Sequence, residues 1–460
     1  MIKNILVILS FFVFSISNSQ IVTYKAAPNI SDNNPYIFES PYYKVELSQN
    51  AVKKPTFVYG MNAMHTTNNS KSTSWVNFSF DDEVTVKVTI LYKQIDFAQI
   101  LPRSSNIAIT ILDKNTISFS IKKPGHFSVE FEKGIFIEHP LLIFANPLEK
   151  NVPKKEDKNV VYFEAGFHEI GDNFKVASNT HIYLEGGAYV KGQIVSKDVK
   201  NVKISGRGIL SGEDYEPRTH NHMIQIRDAN NVEIEGLTII HSPRYMIATS
   251  GKKHYLHNLK MMGWWFSTDG ISAGEDTLIE NCFFKVNDDA IKLYRTNTKV
   301  RNCVIWQLEN GAPFMISWNG SKDFGNINVD NIEIIRVEHH WDNENLAVFC
   351  AVHGGQAHIS NVVIKNITID NSKWRIFHLV TRPNRWGKWN PQKGKLSDFT
   401  FKNIHYFGEQ KIPSLIMGHD EFHPIENILF ENIVINGAKK ATLKSFLILD
   451  KNTTKNIKIN

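Results

Sequence analysis

The chain has 460 residues, 42% of them apolar and 21% charged, with a net charge of +6. That length exceeds one ordinary compact domain and points to two domains or one repeat array, while the composition excludes extensive disorder. The basicity is too mild and too scattered for a nucleic-acid-binding protein. Three cysteines without a C-x-x-C pair exclude a disulfide-dense scaffold and a cysteine-rich zinc site.

Residues 1–19 read as a signal peptide. Lys3 supplies the positive start, and Ile5 to Phe14 is an apolar run interrupted only by Ser10. That run is short for a membrane span. Ser15, Ser17 and Ser19 offer small residues for cleavage, best placed before Gln20, and no cysteine follows for lipid anchoring. The expected location is secreted or periplasmic, with no membrane association of the mature protein.

Within a first domain over residues 20–150, the chain shows from about residue 36 short stretches of period-two alternation, such as Tyr42 to Leu47, Trp75 to Phe80, Val84 to Ile90 and Phe127 to Phe131. These predict half-buried strands, and so many within one segment predict an N-terminal β-sandwich. Residues 150–158 (KNVPKKEDK) lack an apolar pattern and read as a linker.

From 159 to 460 a unit of the form apolar-x-apolar-x-Asn-x-apolar-x-apolar recurs. Its markers are Asn258, Asn281, Asn302, Asn331, Asn366, Asn403 and Asn432, with Gly206 and Gly236 at the same place in two earlier copies. Asn and Gly tolerate a left-handed backbone. One such turn per repeat of 21 to 37 residues, between β-rich stretches, predicts a parallel β-helix, in which stacking coils bury one long core. A β-propeller would need a longer, more uniform repeat. Cys282 and Cys303 occupy the same place in successive coils, as stacked thiols or as an inter-coil disulfide, and Cys350 reads as core.

The shortest coils carry the chemistry. Aligning Gly270-Ile271 on Ala290-Ile291 puts Asp269 over Asp289, with Asp288 beside them at the place of Thr268. Stacked strands are about 4.8 Å apart. Three carboxylates that close repel and raise at least one pKa. Asp-Gly is also a common turn pair, and clustered acids also bind calcium. A group of this kind nonetheless suits catalysis in which one carboxyl stays protonated to donate while another stays ionised to activate water, the two-carboxylate requirement of glycoside hydrolysis. Trp264, Trp265, Tyr294, Trp306, Trp318 and Trp341 come from nearby coils and suit the C–H faces of sugar rings. Lys292 and Arg295 are placed to hold hydroxyls or lower the pKa of a base. His339-His340 is weak as a metal site, because neighbours on a strand point apart. Trp374-Arg375, Arg382, Arg385-Trp386 and Lys388-Trp389 form a basic aromatic stretch, either a solvated loop or a grip on distal sugars.

At these residues the sequence resembles glycoside hydrolase family 49, the dextranase and isopullulanase family. The motifs are Ser267-Thr268-Asp269-Gly270-Ile271, Lys285 to Tyr294 (KVNDDAIKLY), Gly186 to Gly192 and Gly206 to Glu213. The resemblance implies an N-terminal β-sandwich followed by a right-handed parallel β-helix. It also implies an inverting hydrolase of a polysaccharide, an endo-acting, dextranase-like enzyme on an α-glucan. By this resemblance Asp288 is the general acid, and Asp269 and Asp289 share activation of the water. Inverting pairs stand about 6.5–9.5 Å apart, so Asp288 is expected to reach across the cleft from the Asp269–Asp289 stack.

The expected substrate-binding residues are Trp264, Trp265, Lys292, Tyr294, Asn310, Trp318 and Trp341. No cofactor and no metal is expected, and the expected partner of a monomeric protein is the polysaccharide alone. A polygalacturonase-like hydrolase of family 28 or another enzyme on an anionic polymer is the alternative. The polygalacturonase Asn-Thr-Asp is Ser-Thr-Asp here, Asn310-Gly311-Ala312-Pro313 stands in place of Gly-His-Gly, and Arg-Ile-Lys is missing. A lyase would need a basic proton abstractor, for which only Lys292 and Arg295 are near. A glycan-binding adhesin would not need the acid cluster.

Overall fold

The computed structural model describes residues 20–460 apart from Asn29, 31–33, 65–71, 387–392 and Lys440. The signal-peptide reading of residues 1–19 and the Lys388-Trp389 part of the basic stretch lie outside the described residues.

Between Ile21 and Pro147 the alternating stretches form two sheets. One includes Tyr43–Gln49, Val84–Ile90 and Thr116–Ile121; the other includes Ser72–Phe80, Gly125–Glu130 and Leu141–Pro147. Val45, Leu47, Val86 and Ile117 of the first meet Val76, Phe78, Val129 and Ile143 of the second in one buried core. This is a β-sandwich.

Strand Ser72–Phe80 departs from the half-buried expectation, because every one of its residues is buried. The alternation is real, but its other face is dry. Trp75 packs with Leu142 and Phe144 against Trp264, Phe283 and Trp306 of the C-terminal half. Thr73 accepts a hydrogen bond from Lys285 Nζ at 3.0 Å, and Asn77 Nδ2 donates to the Arg207 carbonyl at 3.1 Å. A buried Arg336–Glu130 ion pair spans the same junction. Thr73, Asn77 and Ser79 thus face the C-terminal half, while Ser72 and Ser74 bond within the sandwich, to His139 and Ser40.

From Val160 to Ile459, 26 strands among the described residues form one ladder in which each coil pairs, in parallel, with the next. This is the expected parallel β-helix. Each Asn marker from Asn258 to Asn432 has φ between 52° and 56°, and Gly206 and Gly236 have φ of 131° and 85°. The side chains also link the coils: Asn331 Nδ2 donates to Asn302 Oδ1 at 2.8 Å, and Asn432 Nδ2 to Asn403 Oδ1 at 2.9 Å. A second asparagine ladder, not foreseen from the repeat, runs along another corner. There Asn231 donates to Asn201 at 2.9 Å and Asn456 to Asn427 at 2.7 Å, again with left-handed backbones.

The interior is a continuous apolar column. Phe314, Phe349 and Phe377 stack through it with ring centroids 5.7 and 5.6 Å apart. Cys282 and Cys303 are buried thiols in successive coils, and Cys350 is a third buried thiol. Residues 150–158 carry no strand. No helix among the described residues is long and apolar enough to cross a membrane.

Candidate active site

Two short strands, Ile271–Ser272 and Ile291–Lys292, lie side by side with Ile271 opposite Ile291 and Ser272 opposite Lys292. The turns entering them are stacked by backbone hydrogen bonds: Gly270 N–H donates to Asp289 O at 3.0 Å, and Asp288 N–H to Thr268 O at 3.0 Å. This register sets Asp269 over Asp289 and Asp288 over Thr268. One carboxylate oxygen from each of Asp269, Asp288 and Asp289 lies within 4.8 Å of the others.

The turns are fixed from several sides. Thr268 Oγ1 donates to Ser242 O at 2.8 Å. Asn287 Nδ2 donates to Trp264 O at 2.5 Å, while its Oδ1 accepts from Asn310 N–H at 3.1 Å. Gln307 Nε2 donates to the Asp288 carbonyl at 3.0 Å. Gly311 has φ of +75°, and a Cβ there would stand 2.3 Å from the Asp288 carbonyl carbon. Only glycine permits that approach.

The charges are unequal in their surroundings. Asp269 and Asp289 are buried, and the buried Lys292 binds both: its Nζ is 2.6 Å from Asp269 Oδ1 and also pairs with Asp289 Oδ2. Asp289 Oδ1 further accepts the Ala312 N–H at 3.0 Å. Asp288 is only half-buried, and among the described residues its carboxylate accepts a hydrogen bond from the Asp289 N–H alone, at 2.9 Å. Burial, then the neighbouring charges of Asp269 and Asp289, push the Asp288 carboxyl well above the usual carboxylate range. Burial also pushes Asp269 up to about 7, against the pull of Lys292. Burial drags Lys292 down, but the two carboxylates outweigh it and hold the ammonium well above its ordinary value. Three acids and one buried lysine therefore favour one retained proton, with Asp288 its best-placed carrier. A hard cation would compete with the Lys292 ammonium for the same oxygens.

The expected flank residues separate into three groups. Trp265, Asn310 and Trp341 are half-buried on the side from which the strands enter, where Phe266 meets the Trp341 ring at 5.8 Å and Asn310 Nδ2 reaches Phe266 O at 3.5 Å. Tyr294 and Trp318 are half-buried on the side where the strands leave, and the Tyr294 ring is 5.5 Å from Lys292 Nζ. Trp264 and Trp306 belong to neither: both are fully buried against the sandwich. Trp264 is therefore no substrate contact. Alternation tells which residues face outward from the coil, not that a second domain covers them. Lys292 likewise faces the carboxylates rather than the open cleft.

Tyr245 escaped the sequence reading, although its ring lies 5.1 Å from Lys292 Nζ. Its only signal is its place one coil before the Asp269 turn. The spacing of the acids also differs from expectation. Asp288 does not stand off across the cleft, because stacking at coil distance holds all three carboxyls together. A groove of about 1380 Å³ between the sandwich and the asparagine corner, lined by His126, Arg207, Asn281, Asn302 and Asn331, lies away from the carboxylates.

The family model described as Glycosyl hydrolases family 28 matches residues 148–448. A dextranase of Arthrobacter sp. (strain CB-8) is 25% identical over 356 residues, 58% of this chain and 56% of that protein; this chain thus spans about half of that relative's length. An isopullulanase of Aspergillus niger is 23% identical, covering 84% of this chain and 83% of its own. Among solved structures, Dex49A from Penicillium minioluteum superposes with a TM-score of 0.79 at 19% identity, over 95% of this chain and 98% of that one. That likeness supports the fold: a sandwich leading into a parallel β-helix.

Proposed function

Because this chain belongs to the glycosyl hydrolases of family 28, we propose that it is an exported, inverting glycoside hydrolase that cuts an α-glucan of the dextran or pullulan kind. Its likeness to family 49 stands beside that membership, carried by the dextranase and isopullulanase relatives. The observation that carries the reading is the Lys292 clamp. One buried ammonium holds Asp269 and Asp289 side by side, and the half-exposed Asp288 stands next to them without an ion pair among the described residues.

Asp288 donates its proton to the glycosidic oxygen as the C–O bond breaks. Asp269 and Asp289, both paired with Lys292, accept hydrogen bonds from one water, and one of them takes its proton as it attacks the anomeric carbon. Both Asp289 oxygens are already engaged, one by Lys292 and the other by the Ala312 N–H, which makes Asp289 a poor covalent nucleophile. Tyr294, Trp265, Trp318 and Trp341 supply ring faces for the sugars, and Asn310 supplies an amide. Arg375 pairs with Asp342, and Arg382 pairs with Glu344 at 3.3 Å, so these cations near the cleft are already neutralised.

The accompanying organisation is a signal peptide over 1–19, a sandwich domain over 20–150 and a catalytic domain over 159–460, acting as a secreted or periplasmic monomer. The test is to incubate the mature protein with dextran, pullulan and polygalacturonate, to identify the products and to follow the new anomer by proton NMR. Release of inverted isomalto- or malto-type sugars is expected. Cleavage confined to polygalacturonate, or retention of configuration, would overturn the reading.

A further inference from the structure

We propose that Trp318, Arg385 and Trp386 form a distal subsite that binds one neutral glucosyl residue of the polymer, remote from the bond being cut. The inference rests on the glycosidase reading above. Trp386 is 57% exposed, unusual for so large an apolar ring. Loose loops carry such rings, but this one is pinned. Asn384, itself buried, donates from Nδ2 to the Val352 carbonyl at 2.6 Å and to the Trp318 carbonyl at 3.0 Å, and its Oδ1 accepts the Trp386 N–H at 2.8 Å. Asn319 Nδ2 donates to the Trp386 carbonyl at 2.9 Å. Both peptide groups of Trp386 are thus tied to the end of the strand Phe314–Ser317.

Arg385 completes the platform. Its guanidinium lies 5.0 Å from the Trp386 ring and 5.8 Å from the Trp318 ring, within cation–π range of both. Its charge faces ring planes, leaving N–H edges for hydroxyl groups. A backbone already fixed presents the ring without first ordering the loop that carries it.

The platform also connects to the chemistry. Tyr294, 5.5 Å from Lys292 Nζ, packs with Trp318 on one outward-facing apolar cluster of Ala312, Met315, Cys350 and Val352. Lys292, Tyr294, Trp318 and Trp386 therefore make a row leading away from the carboxylates, as a polymer chain requires.

The experiment compares wild type, Trp386→Ala and Trp386→Phe on dextran and on isomaltotriose, with melting curves to check folding. Trp386→Ala should lose roughly three- to tenfold in kcat/KM on dextran through KM, at least three times more than it loses on the trisaccharide, and Trp386→Phe should recover most of it. In an Asp288→Asn background, Trp386→Ala should also weaken retardation on a dextran gel. Equal losses on polymer and trisaccharide, or no loss on either while wild type cuts dextran, would overturn the subsite and leave the glycosidase reading intact. Wild type inert on dextran and pullulan would overturn both.

Discussion

Two corners of this β-helix stack polar side chains one coil apart, and they solve the same geometric problem in opposite ways. At the asparagine corner amides of successive coils bond one another: Asn403 donates to Asn366 and accepts from Asn432, both at 2.9 Å, and Asn331 donates to Asn302 at 2.8 Å. An amide is donor and acceptor at once, so the ladder extends without help. At the cleft Asp269 lies over Asp289, and carboxylates only accept. That stack is held by the buried Lys292 and by the Ala312 N–H on Asp289, with strain remaining as the raised pKa of Asp288 and Asp269. Identical stacking yields scaffold where the side chains satisfy each other and a reactive centre where they do not.

The sharpest way to break the contrast is to write an amide into the acid group. Asp288→Asn keeps shape and removes the transferable proton, so hydrolysis should fall by roughly 10²- to 10⁴-fold with polymer binding retained. Rates and gel retardation on dextran measure the two parts, and full activity would remove Asp288 from the chemistry.

Lys292→Met tests what the clamp does. Without the ammonium, Asp269 rises further above about 7, so the acid limb of the pH–rate profile should move to higher pH. Stability should fall by about 3 kcal/mol at pH 8. The sign follows from linkage: a carboxyl raised in the folded state favours folding below its unfolded value, about 3.9. That contribution is lost as pH rises through the folded value. The penalty should therefore shrink toward pH 5, where the carboxyls take up protons. Urea titrations at the two pH values check this, and a pH-independent loss would mean that the lysine acts by packing alone.

Asn331→Ala is the mild counterpart at the other corner. It removes one rung and puts alanine at φ of 55°, which should cost about 1–2 kcal/mol while kcat/KM on dextran stays within about twofold. A loss of activity would couple the two corners.

The β-helix was legible because one corner imposes the same backbone constraint once per coil, and few residues meet it. Asn258 to Asn432 therefore recur inside an apolar frame. The second ladder escaped because its members, such as Asn201 and Asn231, sit among polar neighbours without that frame. The register of Asp269 on Asp289 was legible from the matched Gly-Ile and Ala-Ile pairs. The fate of Trp264 was not, since nothing local in the sequence encodes that a sandwich sheet docks over it. The separation of Asp288 was misjudged because stacking distance, fixed by the backbone, prevails over the spacing common to inverting pairs. Lys292 was recognised as near the acids, but its bridging of both follows only from three dimensions.

Strand Ser72–Phe80 gives the N-terminal half a role beyond an appendage. With Val76 and Phe78 in the sandwich core and Trp75 against Trp264 and Trp306, it is a party wall between two hydrophobic interiors. Neither interior can lose this wall without opening to water, so heat should melt both halves as one cooperative unit. The cleft thus draws its thermal resistance from residues that never approach a sugar.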